Sequence, residues 1–170
     1  MNQINEEDSQ LFREHIDTIA PNDKDGGVRV HSAEKKPPFY AFSHVLDGTI
    51  GGEEVVCYAR NGISKKQINI MKQGHIYDDV AEIDLHGYTI EEACEALPDF
   101  IYRHQFDRYV RIVHGKGYRS KGGLSKLKTQ VVRFLEAHPQ VLAFHSCSIK
   151  NGGTGAVFAL LKKEGGVHES

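Results

Sequence analysis

Two short segments of this chain combine histidine with residues that can move protons. In the first, Asp84-Leu85-His86-Gly87, alternation along a strand sends Asp84 and His86 to one face and Leu85 to the other. A carboxylate and an imidazole can then share a site for general acid–base chemistry or for a metal ion. The alternative is a turn leading into a helix, where both side chains only bind backbone.

The second segment, His114-Gly115-Lys116-Gly117, precedes residues 118–123, which contain Arg119, Lys121 and two more glycines. Alternate glycines let main-chain amides approach an oxygen atom, and the following helix would add its dipole. The segment therefore predicts a phosphate cradle. Glycine-rich loops are common, however, and this one has neither the Walker spacing nor a dinucleotide-binding fingerprint.

A third glycine cluster contains Gly152, Gly153 and Gly155. Taken alone, it is better explained as a flexible hairpin.

The charges of the chain are segregated along the sequence. Residues 1–79 carry nine Lys or Arg and thirteen acids (−4), residues 80–163 twelve and eight (+4), and residues 164–170 two acids (−2), giving −2 in total. Residues 108–128 contain no acid, and such a basic surface attracts polyanions. A solvated basic face is an equally good explanation of charge alone. The basic residues of this stretch are Arg108, Arg111, Lys116, Arg119, Lys121, Lys126 and Lys128.

Strand and helix patterns alternate around these segments. A capping box at Thr89-Ile90-Glu91-Glu92 starts the first helix, in which Pro98 should cause a bend. The second helix has apolar positions from Leu124 to Phe134 and stops near His138. The predicted strands are 82–85, 109–113, 141–145 and 156–161.

The order βαβαββ predicts an α/β (α+β) two-layer sandwich with a mixed four-stranded sheet and two helices. Strand–helix–strand connections favour parallel neighbours, and the short last connection favours an antiparallel pair. Loops that leave the carboxyl ends of parallel strands gather at one rim, where ligands usually bind. The three glycine-containing segments should meet there.

The sequence upstream of this pattern is acidic and mostly aperiodic. We predict an N-terminal extension over residues 1–79, the main domain over 80–163 and a C-terminal tail over 164–170. Within the extension, residues 9–19 favour a short helix, residues 21–54 a linker and residues 63–73 a second helix ending at Gly74.

No stretch approaches the roughly 18 apolar residues of a spanning helix, and the first ten residues are unlike a signal peptide. We therefore expect a cytoplasmic protein without a membrane partner. The cysteines, Cys57, Cys94 and Cys147, are odd in number and widely spaced, which favours reduced, structural thiols.

Together, the D-L-H-G start, the central H-G-x-G and the late glycine turn resemble the Smr (small MutS-related) domain over residues 80–163. The resemblance implies a fold like the C-terminal domain of translation initiation factor three, and an endonuclease or a nucleic-acid-binding module. The segment Leu11-Phe12-Arg13-Glu14-His15-Ile16 also resembles the extension of bacterial stand-alone Smr proteins, some of which cut messenger RNA on collided ribosomes.

The resemblance implies catalytic roles for Asp84, His86 and His114. Asp84 and His86 would activate water or a ribose 2′-hydroxyl, His114 would protonate the leaving oxygen, and Lys116 and Arg119 would stabilise phosphate charge. Residues expected to contact the nucleic acid are Gly87, Arg111, Gly115, Lys116, Gly117, Arg119, Lys121, Gly152 and Gly153.

No cofactor is expected to be required. A divalent metal ion is compatible with these residues, yet one carboxylate and two histidines are a sparse set for Mg²⁺. Three functions stay open: a DNA- or RNA-cutting endonuclease, a ribosome-associated factor that docks through its N-terminal segment, and a module that binds nucleic acid without cutting it.

Overall fold

The computed structural model of the chain describes residues 35–40, 48–73, 79–117 and 121–163. The predicted helix at 9–19, the tail at 164–170 and Arg119 lie outside these residues. The strands are β1 (Cys57–Ala59), β2 (Ala81–Asp84), β3 (Tyr109–Val113), β4 (Val141–Ser146) and β5 (Ala156–Leu161). The α-helices are α1 (Lys65–Gln73), α2 (Ile90–Arg103) and α3 (Lys126–Ala137).

The five strands form one mixed sheet in the order β1-β4-β5-β3-β2. β2 and β3 are parallel neighbours, whereas β5 lies between β3 and β4 and is antiparallel to both. The predicted parallel pair and the predicted antiparallel pair are both present. β3 and β4 are not neighbours, however, because the last strand inserts between them.

The sheet has one strand more than the sequence predicts. β1 comes from the region assigned to the extension and pairs antiparallel with β4 from Cys57 to Ala59. Three residues at a sheet edge, of which only Tyr58 is partly buried, carry too little alternation to be recognised. The expectation of four strands is corrected to five.

Helices cover both faces of the sheet. α2 and α3 contribute Leu97, Ile101 and Val131 to the main core on one face, which forms the two-layer sandwich. On the other face, Met71 of α1 packs in a smaller cluster with Phe158. All six residues of β5 are buried as a result, as the continuous apolar run predicts.

The predicted capping box starts α2. Thr89 Oγ1 accepts a hydrogen bond from the Glu92 amide, and the Glu92 carboxylate accepts one from the Thr89 amide at 2.8 Å. The helix continues past Pro98 to Arg103. These two bonds satisfy amides at the first turn of α2, so the helix begins at a defined point after the loop that leaves β2 at Asp84.

Part of the predicted linker packs against the domain. The Lys36 amide donates to Gln105 Oε1 at 2.9 Å, and the Phe39 ring lies edge-on to His138 with 5.2 Å between centroids. The amides of Thr49 and Ile50 both donate to Thr129 Oγ1 at 3.1 Å.

Within the described ranges, no helix is long and apolar enough to cross a bilayer. Cys57, Cys94 and Cys147 are free thiols; Cys147 is buried, whereas Cys57 is exposed, so the predicted structural role does not suit Cys57.

Candidate nucleic-acid-cleaving site

Three loops meet at one edge of the sheet. β2 and β3 both end there because they are parallel, and β5 begins there because it is antiparallel to β3. The amides of His114 and Gly115 donate to the Gly155 carbonyl at 3.0 and 2.9 Å, which joins the second loop to the third. The predicted common rim is confirmed.

Asp84 and His86 form a hydrogen-bonded pair at the end of β2. Asp84 Oδ1 lies 2.7 Å from His86 Nδ1 and also accepts the His86 backbone amide at 3.0 Å. Burial of Asp84 opposes ionisation, but the hydrogen bonds from His86 outweigh it and lower the pKa of Asp84. Since an ionised carboxylate only accepts, Nδ1 of His86 carries a proton, and Nε2 is left to exchange one.

The His86 side chain is 72% exposed, so its ring is open to a substrate. The Asp84 carboxylate also fixes the tautomer and the orientation of the His86 ring, with Nε2 directed away from the pair. The pair can therefore remove a proton from water or from a hydroxyl group.

His114 has a different environment. Only 2% of it is exposed, and its Nδ1 lies 2.7 Å from the Gly115 carbonyl, so Nδ1 donates. Burial, which outweighs the Gly115 hydrogen bond, lowers the pKa of His114 to about 4, with a further contribution from Lys128. The ring is neutral at pH 7, and its buried Nε2 has no hydrogen-bond partner among the described residues.

The glycines of the second loop are needed for its shape. Gly115 and Gly117 have φ of 77° and 68°, in the left-handed region. A Cβ on Gly117 would stand 2.7 Å from Ser125 Oγ. Gly117 thus lets the loop pack against the start of α3.

A cavity of about 590 Å³ lies between the first two loops and the helices that follow them. The amino ends of α2 and α3 line this cavity together with His86 of the Asp84–His86 pair. We call it the rim cavity. Its lining residues are His86, Gly87, Tyr88, Thr89, Ile90, His114, Gly115, Gly117, Ser125, Lys126 and Leu127.

The start of α3 is unusual in charge. Ser125 caps it by accepting the Lys128 amide, but its first turn contains no acid, and Lys126 is its first residue. Cations at the positive end of a helix dipole are unfavourable unless an anion binds there. Lys126 was missed as a site residue, although a helix that begins with lysines and lacks acids was a detectable signal.

The charge pattern predicts that Lys128 belongs to a basic face, but its side chain is buried. Its Nζ donates to the carbonyls of Gly51 and Gly52 at 3.1 Å each, and to that of Glu54. Burial lowers the pKa of Lys128, although the nearby Glu54 and Glu53 carboxylates counteract this. Lys128 is thus a structural anchor for residues 51–54.

The anchored segment places an acid next to the predicted phosphate cradle. Glu53 Oε2 lies 3.3 Å from Lys116 Nζ and accepts a hydrogen bond from Thr154 Oγ1 at 3.3 Å. Glu53 thus contacts both the second and the third loop. The sequence could not reveal this contact, because Glu53 and Thr154 are far apart in the chain.

The other predicted residues divide by location. Arg111 pairs with Glu82 across β2 and β3, beside Phe158 of β5 on the face that α1 covers, and so lies away from the rim cavity. Gly152 and Gly153 adopt positive φ in the third loop without lining the cavity. Arg119 and the side chain of Lys121 are outside the described part of the chain.

No group of three or more His, Cys, Asp or Glu side chains suited to a metal ion occurs within the described ranges. That no cofactor is required stays a prediction.

Sequence comparisons give two kinds of match. The Smr domain family model matches residues 83–162. The ribosome rescue factor SmrB of Vibrio vulnificus is 31% identical over 170 residues, covering 92% of this chain and 93% of that protein. SmrB of Tolumonas auensis is 27% identical over 176 residues, covering 95% and 97%. An uncharacterized Treponema pallidum protein is 41% identical over 90 residues, which are 52% of this chain and 44% of that protein.

A structural comparison agrees at the level of the fold. The crystal structure of YdaL, a stand-alone small MutS-related protein from Escherichia coli, matches with a TM-score of 0.62 and 24% identity. The match covers 74% of this chain and 95% of YdaL.

Proposed function

Because this chain belongs to the Smr domain family, we propose that it is an endonuclease that cuts a nucleic-acid strand at the rim cavity. The observation that carries the proposal is the 2.7 Å contact between Asp84 and His86 at the wall of that cavity. A merely structural turn would not need an exposed imidazole held by an ionised carboxylate.

We assign proton abstraction to His86. Its Nε2 takes the proton of a ribose 2′-hydroxyl, and the 2′-oxygen then attacks the adjacent phosphorus. The bond from phosphorus to the 5′-oxygen breaks, and that oxygen takes a proton from a water molecule in the rim cavity. The products are a 2′,3′-cyclic phosphate and a 5′-hydroxyl end.

Positive groups at the cavity stabilise the charge on phosphate. Lys126 stands at the amino end of α3, and Gly117 keeps the second loop against that end. The helix dipole and the lysine act on the same phosphate, as phosphate sites at helix N-termini do. Lys116 lies in the second loop without lining the cavity, and it adds a second cation for a neighbouring phosphate of the strand when that phosphate displaces Glu53.

The predicted role of His114 as a general acid does not suit its environment. A ring with a pKa of about 4 holds no transferable extra proton at pH 7, and its Nδ1 proton is engaged by Gly115. We therefore assign His114 to holding the second loop in place.

RNA is the expected substrate, since RNA carries its own nucleophile. Matched RNA and DNA strands would be incubated with the chain, with and without a chelator, and the product ends identified. We expect cleavage of RNA alone, cyclic phosphate ends, no effect of chelator and full protection by one 2′-deoxy substitution at the cut site. Equal cleavage of DNA and RNA would show that water, and not the ribose 2′-hydroxyl, is the nucleophile. Binding without any cleavage would favour the non-catalytic module.

A second proposal concerns the partner. The similarity to SmrB of Vibrio vulnificus covers 92% of this chain, and thus reaches beyond the matched domain. We propose that this protein also acts as a ribosome rescue factor and that its N-terminal segment docks on the ribosome.

Co-sedimentation with ribosomes tests this docking. Phe12→Ala and Ile16→Asp remove the apolar face of the predicted N-terminal helix and should reduce co-sedimentation without affecting cleavage of free RNA. Unchanged co-sedimentation, or loss of cleavage of free RNA, would contradict the assignment.

A further inference from the structure

The rim cavity is larger and more apolar than a phosphate site requires. Phosphate contacts account for Lys126 and the second loop, which form only part of its wall. The remaining wall includes Tyr88, Ile90 and Leu127. A cavity of about 590 Å³ has room for a nucleoside beside the phosphate.

Tyr88 supplies an aromatic surface. It follows Gly87 directly after the Asp84–His86 pair and is 43% exposed. Large aromatic side chains that stay exposed beside a polar site are typical stacking surfaces for single-stranded nucleic acids.

His114 supplies a hydrogen-bond acceptor. Since Nδ1 donates to the Gly115 carbonyl, the neutral ring presents a lone pair at Nε2. This atom is buried and unpartnered within the described ranges, although His114 also lines the cavity. An unsatisfied buried acceptor is costly, and a ligand N–H that reaches it through a small shift of the cavity wall would remove that cost.

We propose that the rim cavity binds one unstacked nucleobase next to the scissile phosphate, with its ring on Tyr88 and one of its N–H groups donated to His114 Nε2. The inference rests on the proposed function, because the Asp84–His86 pair fixes where the phosphate lies. It makes the chain selective for unpaired strands, since a paired base is stacked and its N–H groups are engaged.

Removing single bases from the substrate tests the proposal. An RNA with a mapped cut site would be prepared with one abasic nucleotide at each nearby position. One position should lower kcat/KM of the wild-type chain roughly 5- to 100-fold, the range that stacking on an aromatic ring supplies. Tyr88→Ala should be insensitive to that same substitution, whereas Tyr88→Phe should behave like wild type. Equal sensitivity of all three proteins would overturn the proposal.

A binding experiment keeps this inference separate from the cleavage proposal. The full chain would be titrated with nucleoside 5′-monophosphates and with ribose 5-phosphate, while the ring signals of Tyr88 and His114 are followed by NMR. We expect the nucleotides, but not ribose 5-phosphate, to shift both sets. Base-dependent shifts without cleavage would support the base site and contradict the nuclease proposal. Cleavage without base-dependent shifts would support the nuclease proposal and contradict the base site.

Discussion

Asp84 Oδ1 accepts hydrogen bonds from both the Nδ1 and the backbone amide of His86, which fixes the ring relative to the strand end. The amino ends of α2 and α3 line the same cavity as His86, so the proposed proton acceptor and the proposed phosphate site are adjacent. The proposed strand cleavage rests on this adjacency.

Lys126→Ala should weaken RNA binding with little dependence on sequence. If Lys126 neutralises one phosphate, its loss should flatten the slope of log K against log salt by about one unit. Lys162→Ala is the matched control, because Lys162 is exposed and follows the opposite end of β5. Equal salt slopes in the wild type and in Lys126→Ala would show that Lys126 does not contact a phosphate of the RNA.

Lys128→Met should destabilise the fold. The substitution keeps the buried stem but leaves the carbonyls of Gly51, Gly52 and Glu54 without their shared donor, at a cost of about 2–4 kcal/mol. The measurement is the free energy of unfolding in urea, with Lys162→Met as the exposed control. A loss no larger than that of the control would mean that Lys128 does not anchor the segment.

Acid should destabilise the protein through two buried histidines. Burial lowers the pKa of both His114 and His138 from 6.5 to about 4, and Nδ1 of His138 accepts the Gln140 amide. The unfolded chain therefore binds more protons between these values. Stability is fully present above pH 6.5 and falls toward pH 4, by up to about 1.4 kcal/mol per pH unit for each ring.

Urea unfolding at several pH values between 7.5 and 4.5 measures this slope. His138→Asn should make the slope shallower, because one of the two buried rings is gone. An unaltered slope in that variant would show that other groups cause the acid sensitivity.

Local patterns in the sequence predicted the parts of the site that depend on neighbours in the chain. The capping box at Thr89, the shared face of Asp84 and His86 and the gathering of three loops at one rim follow from alternation, capping and strand direction. The additional strand β1 was not predictable in this way, because three residues that pair with a distant strand leave no periodic signal.

The parts of the site that the sequence did not predict depend on contacts between residues far apart in the chain. Lys128 and Lys126 are equivalent in a charge count, yet one is buried under the carbonyls of residues 51–54 and the other is exposed at the cavity. Arg111 shares a strand face with Tyr109, and its pairing with Glu82 depends on the strand register. Burial likewise lowers the pKa of His114 and keeps its ring neutral, which its motif does not indicate.

The most direct measurement of the central claim compares cleavage and affinity in Asp84→Asn and His86→Ala. Single-turnover cleavage of a short single-stranded RNA should fall by about 10²–10⁴-fold in His86→Ala, the contribution of a positioned general base, and less in Asp84→Asn. RNA affinity should stay nearly unchanged in both, since neither change removes a phosphate-binding cation. Cleavage at the wild-type rate in His86→Ala, or equal losses of affinity and rate, would contradict the account.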